Sequence, residues 1–247
     1  MKIYLNFKCY DKRILHIIKL FKLEHDPNSS IGLLATHDSL ELYNRNNIYQ
    51  KSIKVDFNSK KNNYRCLNFK KKHEALYKVV GMKQSYTPFI LDLTAGLGND
   101  AFIFSFLGCQ VLMIERNPVI AALLTDGLYR AYKNIKIGFW LKKRLHLIIN
   151  DSMNILKSSI FKPDIIYIDP MYPIVKNKSL PKKNMQILRF LIGHHDDDYE
   201  YILYMSKKLA KNRIIVKRPS YAQPLSKDKI NFFIKTKHHR FDIYLPF

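Results

Sequence analysis

Cysteine is scarce in this chain, and the spacing of the few cysteines excludes several classes of protein. The three residues, Cys9, Cys66 and Cys109, lie far apart, and no two of them form a Cys-x-x-Cys pair. This spacing argues against a disulfide-stapled domain and against a cysteine-ligated zinc site. Histidine offers no ligand spacing either, since His194 and His195 precede three aspartates in a pattern typical of a solvated loop before a helix. We therefore predict no bound metal.

Long apolar runs are also missing. No uninterrupted stretch approaches the ~18 apolar residues that a membrane-spanning helix needs. The early apolar stretch at 14–23 is broken by His16, Lys19 and Lys22, and it lacks the cleavage site of a signal peptide. These absences predict a cytoplasmic protein with no membrane partner.

Acidic residues are few beside basic ones. The chain has 42 lysines and arginines against 20 aspartates and glutamates, a formal net charge of +22. This excess favours a polyanionic partner, most simply a nucleic acid, and a merely soluble basic protein is the alternative. Hydrophobic residues make up 47% of the chain, which is enough for a packed core and argues against disorder.

The first part of the chain predicts a small α+β lobe with a basic linker, residues 1–72, ahead of a larger domain at 73–247. Apolar spacing predicts a helix at 12–23, and short apolar or alternating segments at 31–36, 40–42 and 53–57 predict a three-stranded meander. The stretch 58–72 places aromatic residues among cations, so it is either a linker or an RNA-contacting loop. A helix at 73–80 ends at Gly81, a typical C-cap residue.

From residue 89 onward, strand and helix patterns alternate. This alternation predicts a Rossmann-like α/β fold with a mostly parallel, seven-stranded sheet covered on both faces. The last two strands have no long helix between them, which indicates an antiparallel carboxy-terminal edge. The predicted strands are 89–93, 110–115, 145–149, 165–169, 213–217, 231–235 and 240–245, and the predicted helices are 100–107, 118–132, 152–158, 183–191 and 197–209.

Two glycines one residue apart, Gly96 and Gly98, follow the first strand of this domain and precede a helix. Glycines at such a turn let the backbone approach a ligand, and the helix N-terminus presents free N–H groups. Glu115 ends the next strand, where an acid can bind ribose hydroxyls. Dinucleotide enzymes and S-adenosylmethionine enzymes share this geometry, so this stretch alone leaves a nicotinamide oxidoreductase and a methyltransferase open.

Further acids favour the methyl donor. Asp92 lies at the carboxyl end of the first strand, where a carboxylate suits a cationic amino-acid group and suits a pyrophosphate badly. Asp151 and Ser152 follow the third strand, in a position to bind the adenine edge. We therefore predict S-adenosylmethionine as the cofactor of these residues and of the glycine turn.

A second stretch, Asp169-Pro170-Met171-Tyr172-Pro173, closes the fourth strand beside the same crevice. Amino methyltransferases carry an Asp/Asn-Pro-Pro-aromatic motif at this place. The exocyclic amine of a base is a poor nucleophile, because its lone pair is delocalised into the ring. The Asp169 carboxylate and the Pro170 carbonyl can accept its N–H groups and stabilise the charge that develops on nitrogen, while Tyr172 can stack on the base. We predict Asp169 and Tyr172 as catalytic residues.

Basic residues near the ends of the later strands are candidates for RNA contact. Lys217 and Arg218 lie at the end of the fifth predicted strand, and His239 and Arg240 lie at the start of the last. Cations in these positions can bind an RNA phosphate, and solvated strand ends are the alternative. We predict these four as RNA-binding residues.

Several of these stretches together resemble one family. They are 92–102, 115–119, 121–128, 169–173, 216–219 and 239–244. In combination they are similar to the bacterial 16S ribosomal RNA (guanine-N2) methyltransferase J family. The resemblance is dense from about residue 89 to 245 and looser towards the N-terminus. The Glu-Arg-Asn-Pro sequence at 115–118 together with the Asp-Pro-Met-Tyr-Pro sequence is its specific part.

The resemblance implies methylation of the exocyclic N2 amine of a guanine in 16S rRNA, with that RNA or the small ribosomal subunit as partner and no stable protein partner. The family usually has Arg where Asn99 stands, and lysines replace the glycines of its run at 69–74. Alternatives are an amino methyltransferase for a DNA base or protein glutamine, and a non-catalytic RNA-binding protein on the same scaffold. The implied cofactor contacts are Asn99, Asp100, Glu115, Arg116, Asp151, Ser152 and Asp169.

Overall fold

The structure is a computed structural model that describes all residues except 10, 48, 71–73, 83–85, 171–182 and 193–198; the side chains of 183–185 and 192 are also not described. In chain order its elements are β1 (Lys2–Phe7), α1 (Lys12–Leu20), β2 (Glu24–His25), β3 (Ile31–Ala35), β4 (Leu40–Asn44), α2 (Lys60–Leu67), α3 (Ala75–Val80), β5 (Phe89–Asp92), α4 (Asn99–Phe106), β6 (Gln110–Glu115), α5 (Pro118–Lys133), α6 (Gly138–Arg144), β7 (Leu145–Ile149), α7 (Ser152–Ser158), β8 (Ile165–Ile168), α8 (Lys183–Ile192), α9 (Tyr199–Leu209), β9 (Arg213–Pro219), β10 (Phe232–Lys235) and β11 (His239–Tyr244).

The chain divides into two compact units, and the first contains 1–57, 117–134 and the described part of 171–194. Its four-stranded sheet has the order β2-β1-β3-β4, with β1 parallel to β2 and β3, and β3 antiparallel to β4. The predicted meander is wrong in its third strand, since within the described residues 53–57 joins this sheet only through a bridge between Ile53 and Leu42. The sequence patterns also miss β1, one of the two inner strands, although its apolar Ile3 and Leu5 alternate with polar residues.

Helix α5 belongs to this first unit. Asn117 caps its N-terminus through the side-chain oxygen. In the helix interior, Asp126 is fully buried and accepts a hydrogen bond from the Leu40 N–H at 3.1 Å. The next residue, Gly127, permits close packing, because a Cβ atom there would lie 3.0 Å from the Val55 carbonyl oxygen.

The second unit contains 58–116, 135–170 and the described part of 195–247. Its seven-stranded sheet has the order β10-β11-β9-β8-β5-β6-β7. The strands from β9 to β7 are parallel, and β11 and β10 form an antiparallel edge. This topology confirms the predicted Rossmann-like α/β fold. Because the chain order reverses between β5 and β8, the carboxyl ends of these strands form the switch point at which such sheets bind ligands.

Most predicted elements from residue 89 onward are confirmed, with ends that differ by one or two residues. The predicted first residue of the last helix, Asp197, lies outside the described residues. The patterns miss α6, and they miss α2, which Ser59 begins by accepting a hydrogen bond from the Asn62 N–H at 3.2 Å. The domain boundary at 72/73 stays a prediction, and the two compact units group 58–72 with the larger sheet and 117–134 with the smaller one.

Candidate active site

The glycine stretch forms the turn between β5 and α4. Gly96 and Gly98 have φ angles of 53° and 70°, a left-handed backbone that favours glycine. Among the described residues, a Cβ atom at Gly96 would meet only the Thr94 carbonyl oxygen, at 3.9 Å. Space is therefore open beside this backbone, and α4 begins directly after it at Asn99 with its free N–H groups.

Glu115 at the end of β6 contacts this turn. Its side chain is buried, and its Oε2 atom accepts a hydrogen bond from the Gly96 N–H at 3.1 Å. The carboxylate thereby fixes the turn from the neighbouring strand. An acid in this position is suited to bind ribose hydroxyls, as predicted.

The residues after β7 lie at the same edge of the sheet. Asp151 caps α7 by accepting a hydrogen bond from the Met153 N–H at 2.8 Å, and its second oxygen lies 3.5 Å from Nη1 of Arg116. Ser152 donates a hydrogen bond of 2.6 Å to the Leu93 carbonyl oxygen. The structure thus brings Asp151, Ser152 and Arg116 together beside the glycine turn, and Ser152 holds the start of that turn.

Asp169 lies within a cluster of ionisable side chains at the ends of β5, β8 and β9. The Lys217 ammonium donates hydrogen bonds of 2.8 Å to Oδ2 of Asp169 and to Oδ2 of Asp100. Asp100 Oδ2 also accepts from the Tyr167 hydroxyl at 2.7 Å. Nearby, Asp92 is buried at the end of β5. Three aspartates, one lysine and one tyrosine therefore form a single polar cluster.

The Asp92 carboxyl group is the most strongly perturbed acid in this cluster. Burial raises its pKa to about 8, and the charges of Asp100, Asp169 and Glu115 act in the same direction. The hydrogen bond from the Thr94 N–H opposes these effects without cancelling them. Burial therefore favours the neutral form of Asp92, and a bound cation would favour its ionised form.

The pKa values of the other two aspartates, Asp100 and Asp169, are shifted in opposite directions, although both carboxylates bond to Lys217. Burial acts to raise the pKa of Asp100, but Lys217, the Tyr167 hydroxyl and Arg65 outweigh it, so this pKa is lowered. The pKa of Asp169 is raised by burial and by Asp100, in spite of the opposing charge of Lys217. Burial disfavours the charged form of Lys217 as well, yet the two carboxylates raise its pKa above the ordinary value. The lysine is therefore cationic at every physiological pH.

Thr94 joins the two sequence stretches, and the sequence prediction missed it. Its hydroxyl oxygen accepts a hydrogen bond of 2.6 Å from the Asp169 N–H, while its own N–H donates to Asp92 at 3.0 Å. Tyr167 was missed too. A usable signal was Thr94's place directly between an acid and a glycine turn, where a hydroxyl can reach the next strand.

The residues present fit S-adenosylmethionine better than a dinucleotide. Four carboxyl groups, those of Asp92, Asp100, Glu115 and Asp169, lie close together, and the last three add to the effect of burial in raising the pKa of Asp92. Such a surplus of acid suits a ligand with a sulfonium and an ammonium group, whereas the two negative charges of a pyrophosphate would be repelled. The open backbone beside Gly96 suits the close approach of either ligand.

The four residues predicted to bind RNA lie on two faces of the sheet. Alternate residues of a strand point to opposite faces, and the pairing of Arg240 with Arg218 places these two on one face and Lys217 and His239 on the other. Arg218 is buried and donates to the Gln223 carbonyl oxygen. The structure therefore does not bring the four together as one surface.

The remaining members of this set also differ in their partners. Arg240 forms two hydrogen bonds, of 2.6 and 2.9 Å, to the buried Asp242 carboxylate. His239 is exposed, and partial desolvation together with the Lys217 charge lowers the pKa of its imidazole. Of the four, His239 is the side chain most open to a partner.

Several predicted features lie outside the described residues. These are Tyr172 with the rest of the Asp-Pro loop after Pro170, and the His194–His195 pair with its aspartates.

In the described ranges, no helix has the length and apolar character needed to cross a membrane. The same ranges contain no group of three or more His, Cys, Asp or Glu side chains arranged to hold a metal ion.

Comparison with known proteins gives a family match over almost the whole chain. A family model described as "Putative SAM-dependent methyltransferase" matches residues 16–246. This match agrees with the sheet order and with the acid-rich site, and it replaces the nicotinamide hypothesis that the glycine turn had left open.

Individual relatives are similar over most or all of their length. A ribosomal RNA small subunit methyltransferase J of Buchnera aphidicola subsp. Acyrthosiphon pisum (strain 5A) is 64% identical over 247 residues, 100% of both proteins. Another, of Pectobacterium atrosepticum, is 44% identical over 91% of this chain and 90% of that protein. The crystal structure of a SAM-dependent methyltransferase of Neisseria gonorrhoeae is 30% identical, with a TM-score of 0.78 over 100% of this chain and 96% of that one. The chain therefore belongs to the S-adenosylmethionine-dependent methyltransferases and, within them, to the ribosomal RNA small subunit methyltransferase J family.

Proposed function

We propose that this chain transfers a methyl group from S-adenosylmethionine to the exocyclic N2 amine of a guanine in small-subunit ribosomal RNA. The observation that carries the proposal is the position of Asp169 at the end of β8 beside the glycine turn, where Lys217 bonds to its carboxylate and Thr94 accepts from its backbone N–H. The names of the relatives support ribosomal RNA as the acceptor, and the net charge of +22 suits a polyanion. We also propose that the protein acts in the cytoplasm, where this RNA is made.

The cofactor supplies an electrophilic methyl group on a sulfonium centre. In our proposal the Glu115 carboxylate binds the ribose hydroxyls, and Asp151 with Ser152 and Arg116 lines the adenine edge. Asp92 and the N-terminus of α4, with Asn99 and Asp100, face the amino-acid portion. The positions of these side chains at one edge of the sheet support the assignments.

Asp169 acts on the acceptor. Its carboxylate accepts an N–H of the guanine amine, which directs the nitrogen lone pair towards the methyl group and stabilises the positive charge that develops on nitrogen. The nitrogen must then lose a proton. Because burial raises the pKa of Asp169, its carboxylate is a suitable acceptor for that proton. Stacking of the base on Tyr172 stays a prediction.

For RNA contact we propose a narrower surface than the sequence indicates. His239 lies on the exposed turn of the β10–β11 hairpin together with Lys235 and Lys237, whose side chains are also exposed. Contacts of these groups with phosphates would position the RNA without reading its sequence. The other three have partners within the protein: Lys217 and Arg240 bond to carboxylates, and the buried Arg218 donates to a backbone carbonyl oxygen.

One experiment tests the reaction and the acceptor together. Small-subunit RNA, assembled small subunits, duplex DNA and a glutamine-bearing protein substrate are each incubated with the purified protein and radiolabelled cofactor, and N2-methylguanine is then mapped in the RNA. We expect label in the RNA or in the subunit, on the guanine N2 atom. Label in DNA or protein alone would overturn the acceptor, and failure to bind the cofactor by calorimetry would overturn the enzyme.

A variant tests the part played by Asp169. We expect Asp169→Ala to bind the cofactor nearly as the wild type does and to lose methyl transfer by about 100- to 1000-fold, the cost of removing one positioned group that stabilises a transition state. Asp228→Ala is the matched control, because Asp228 is a partly exposed aspartate paired with Lys207 at 3.0 Å. Methyl transfer at the wild-type rate by the Asp169 variant would contradict the proposed mechanism.

A further inference from the structure

We propose that Lys217 is a positioning residue for the reaction: it holds the Asp169 carboxylate in place and ties it to the cofactor-binding turn through Asp100. This inference rests on the proposed function of Asp169 and goes beyond it, since the sequence motifs indicate RNA contact for Lys217. The geometry assigns Lys217 to the active site itself.

The contacts of Lys217 connect three elements. Its ammonium, which comes from β9, lies 2.8 Å from Oδ2 of Asp169 after β8 and 2.8 Å from Oδ2 of Asp100 in the first turn of α4. Asp100 follows the glycine turn directly and is fixed by the Tyr167 hydroxyl. A single cation therefore connects the turn that we predict binds the methyl donor with Asp169, which we propose acts on the methyl acceptor.

The same contacts orient Asp169. Lys217 occupies Oδ2, and in the part of the chain that the structure describes Oδ1 has no hydrogen-bond partner. The Asp169 side chain is 34% exposed, so this second oxygen is available to an incoming amine. Asp169 is held at one carboxylate oxygen by Lys217 and at its backbone N–H by Thr94. Its carboxylate therefore has little freedom to rotate, and such preorganisation is what a transition-state contact requires.

Burial argues against a primary contact of Lys217 with an RNA phosphate. Its side chain is only 17% exposed and already has two carboxylate partners. Removal of the ammonium would leave two aspartates close together in a poorly solvated site. One of them would then take up a proton near neutral pH, because like charges at short range cannot both ionise.

The pH dependence of a Lys217 variant must be interpreted with all the groups around this lysine. These groups come from α2, α4, β11 and the ends of β5 and β8, and their charges and burial affect one another. His239 is the imidazole of this set, and desolvation together with the Lys217 charge lowers its pKa. The full set is Arg65, Asp92, Asp100, Tyr167, Asp169 and His239.

The test compares Lys217→Met, Lys217→Gln and Lys217→Arg with the control Lys211→Met. Lys211 pairs with Asp164 at 3.6 Å just before β9 and is 55% exposed, so its loss removes a similar ion pair away from the site. For the Met and Gln variants we expect kcat to fall by about 100-fold. We also expect the acidic limb of the kcat–pH profile to move up by about 1–3 pH units, because loss of a neighbouring cation raises the pKa of a carboxylate. Lys217→Arg should recover much of the rate and a near-normal profile.

A His239→Gln background removes the titration of the imidazole from these profiles, and His239→Gln alone is its reference because His239 is a proposed RNA contact. Thermal unfolding and calorimetry with S-adenosylmethionine establish for each variant that the fold and the cofactor site are intact. If Lys217→Met does not fold, the decision rests on the Gln and Arg variants. An unshifted profile with wild-type kcat, or a loss confined to the KM for RNA, would overturn the positioning role and restore the RNA-contact hypothesis.

The outcomes separate this inference from the proposed function. The rates are measured on whichever acceptor the wild type methylates. If the wild type methylates no RNA, the proposed function fails, whereas normal RNA methylation with a Lys217→Met variant equal to wild type refutes this inference alone.

Discussion

Two buried charge clusters, one in each compact unit, show how differently the same side chains can be used. In the first unit, Asp126 is fully buried and is surrounded by positive partners: Arg130 Nε at 2.9 Å, the Leu40 N–H at 3.1 Å, and Arg13 Nη1 at an ion-pair distance of 3.0 Å. One carboxylate thus has two guanidinium groups. Its neighbours balance its charge, and the cluster connects α1, α5 and β4.

In the second unit the balance is reversed. The carboxyl groups of Asp92, Asp100, Glu115 and Asp169 share one edge of the sheet, and Lys217 bonds to two of them. Burial raises the pKa of Asp92 to about 8, and the surplus of acid acts in the same direction. A balanced cluster contributes to stability, whereas an unbalanced one is retained where a cationic ligand or a developing positive charge completes it. Neutralising substitutions in the two clusters should therefore have opposite consequences.

The largest effect is expected from Asp126→Ala. Removal of the acid leaves Arg13 and Arg130 without their shared partner, so we expect the free energy of unfolding to fall by about 3–5 kcal/mol. For a chain of this size the midpoint of thermal unfolding should fall by on the order of 10 °C. Calorimetry and urea titration measure both quantities.

The control for this prediction is Asp126→Asn, which keeps an oxygen for the Leu40 N–H and should recover part of the loss. Methyl transfer per folded molecule should be unchanged in both variants. A stable Asp126→Ala protein that has lost activity would remove the distinction between the two clusters.

A smaller effect, on binding rather than stability, is expected from Glu115→Gln. The amide oxygen can still accept the Gly96 N–H, so the turn should stay in place, but the charged acceptor for the ribose is lost. We expect the affinity for S-adenosylmethionine to fall by about 10- to 100-fold, the value of a hydrogen bond to a charged group. Isothermal titration measures the affinity, and a loss of thermal stability as large as that of Asp126→Ala would show that Glu115 is structural.

A third effect, on the pH dependence of stability, is expected from Asp92→Asn. In the unfolded chain Asp92 ionises near its ordinary pKa of 3.8, while burial keeps it protonated in the folded protein up to about pH 8. The folded state then holds more protons, so this group makes the protein less stable as the pH rises from about 4 to about 8. The Asp92→Asn variant has no carboxyl group at this position, so it lacks this pH-dependent loss of stability.

We therefore expect Asp92→Asn to gain stability relative to wild type across that window, by at most about 1.4 kcal/mol per pH unit. Urea unfolding of the wild type and of the variant at pH 5, 6.5 and 8 gives the difference between their free energies of unfolding at each pH. Parallel curves for the two proteins would mean that Asp92 is ionised in the folded state.

The larger sheet could be predicted because its strands are buried on both faces and are separated by helices with clear ends. β8 is apolar and buried along its length, and Asp151 marks the beginning of α7 as an N-cap residue should. The amino-terminal unit was harder. The segment 53–57 has the alternation of a strand, yet Ile53, Val55 and Phe57 are buried with a single bridge to a strand. Alternation of apolar and polar residues shows which side chains are buried, but it does not specify the strand with which the backbone forms hydrogen bonds.

In the site, residues next to each other in a motif were easier to assign than residues from distant strands. The glycine turn with Glu115, and the placement of Asp169 after the fourth strand of the larger sheet, follow from strand-to-helix patterns. Thr94 and Tyr167 were missed, because their importance lies in contacts to Asp169 and Asp100 from other elements. For Lys217, the sequence shows a cation at a strand end and nothing about the two carboxylates that it meets.

The sequence by itself determined the class of fold, the methyl donor and the Asp-Pro loop, because local patterns of burial, glycine and acid specify a strand, a turn and a helix in order. Only the tertiary structure decided which charges meet. Alternation along β9 turns Lys217 and Arg218 to opposite faces, but only the pairing of β9 with β8 and β11 decides what each side chain meets, and it places Lys217 alone between two aspartates. Pairing of that kind depends on strands distant in the chain, and no local pattern carries it.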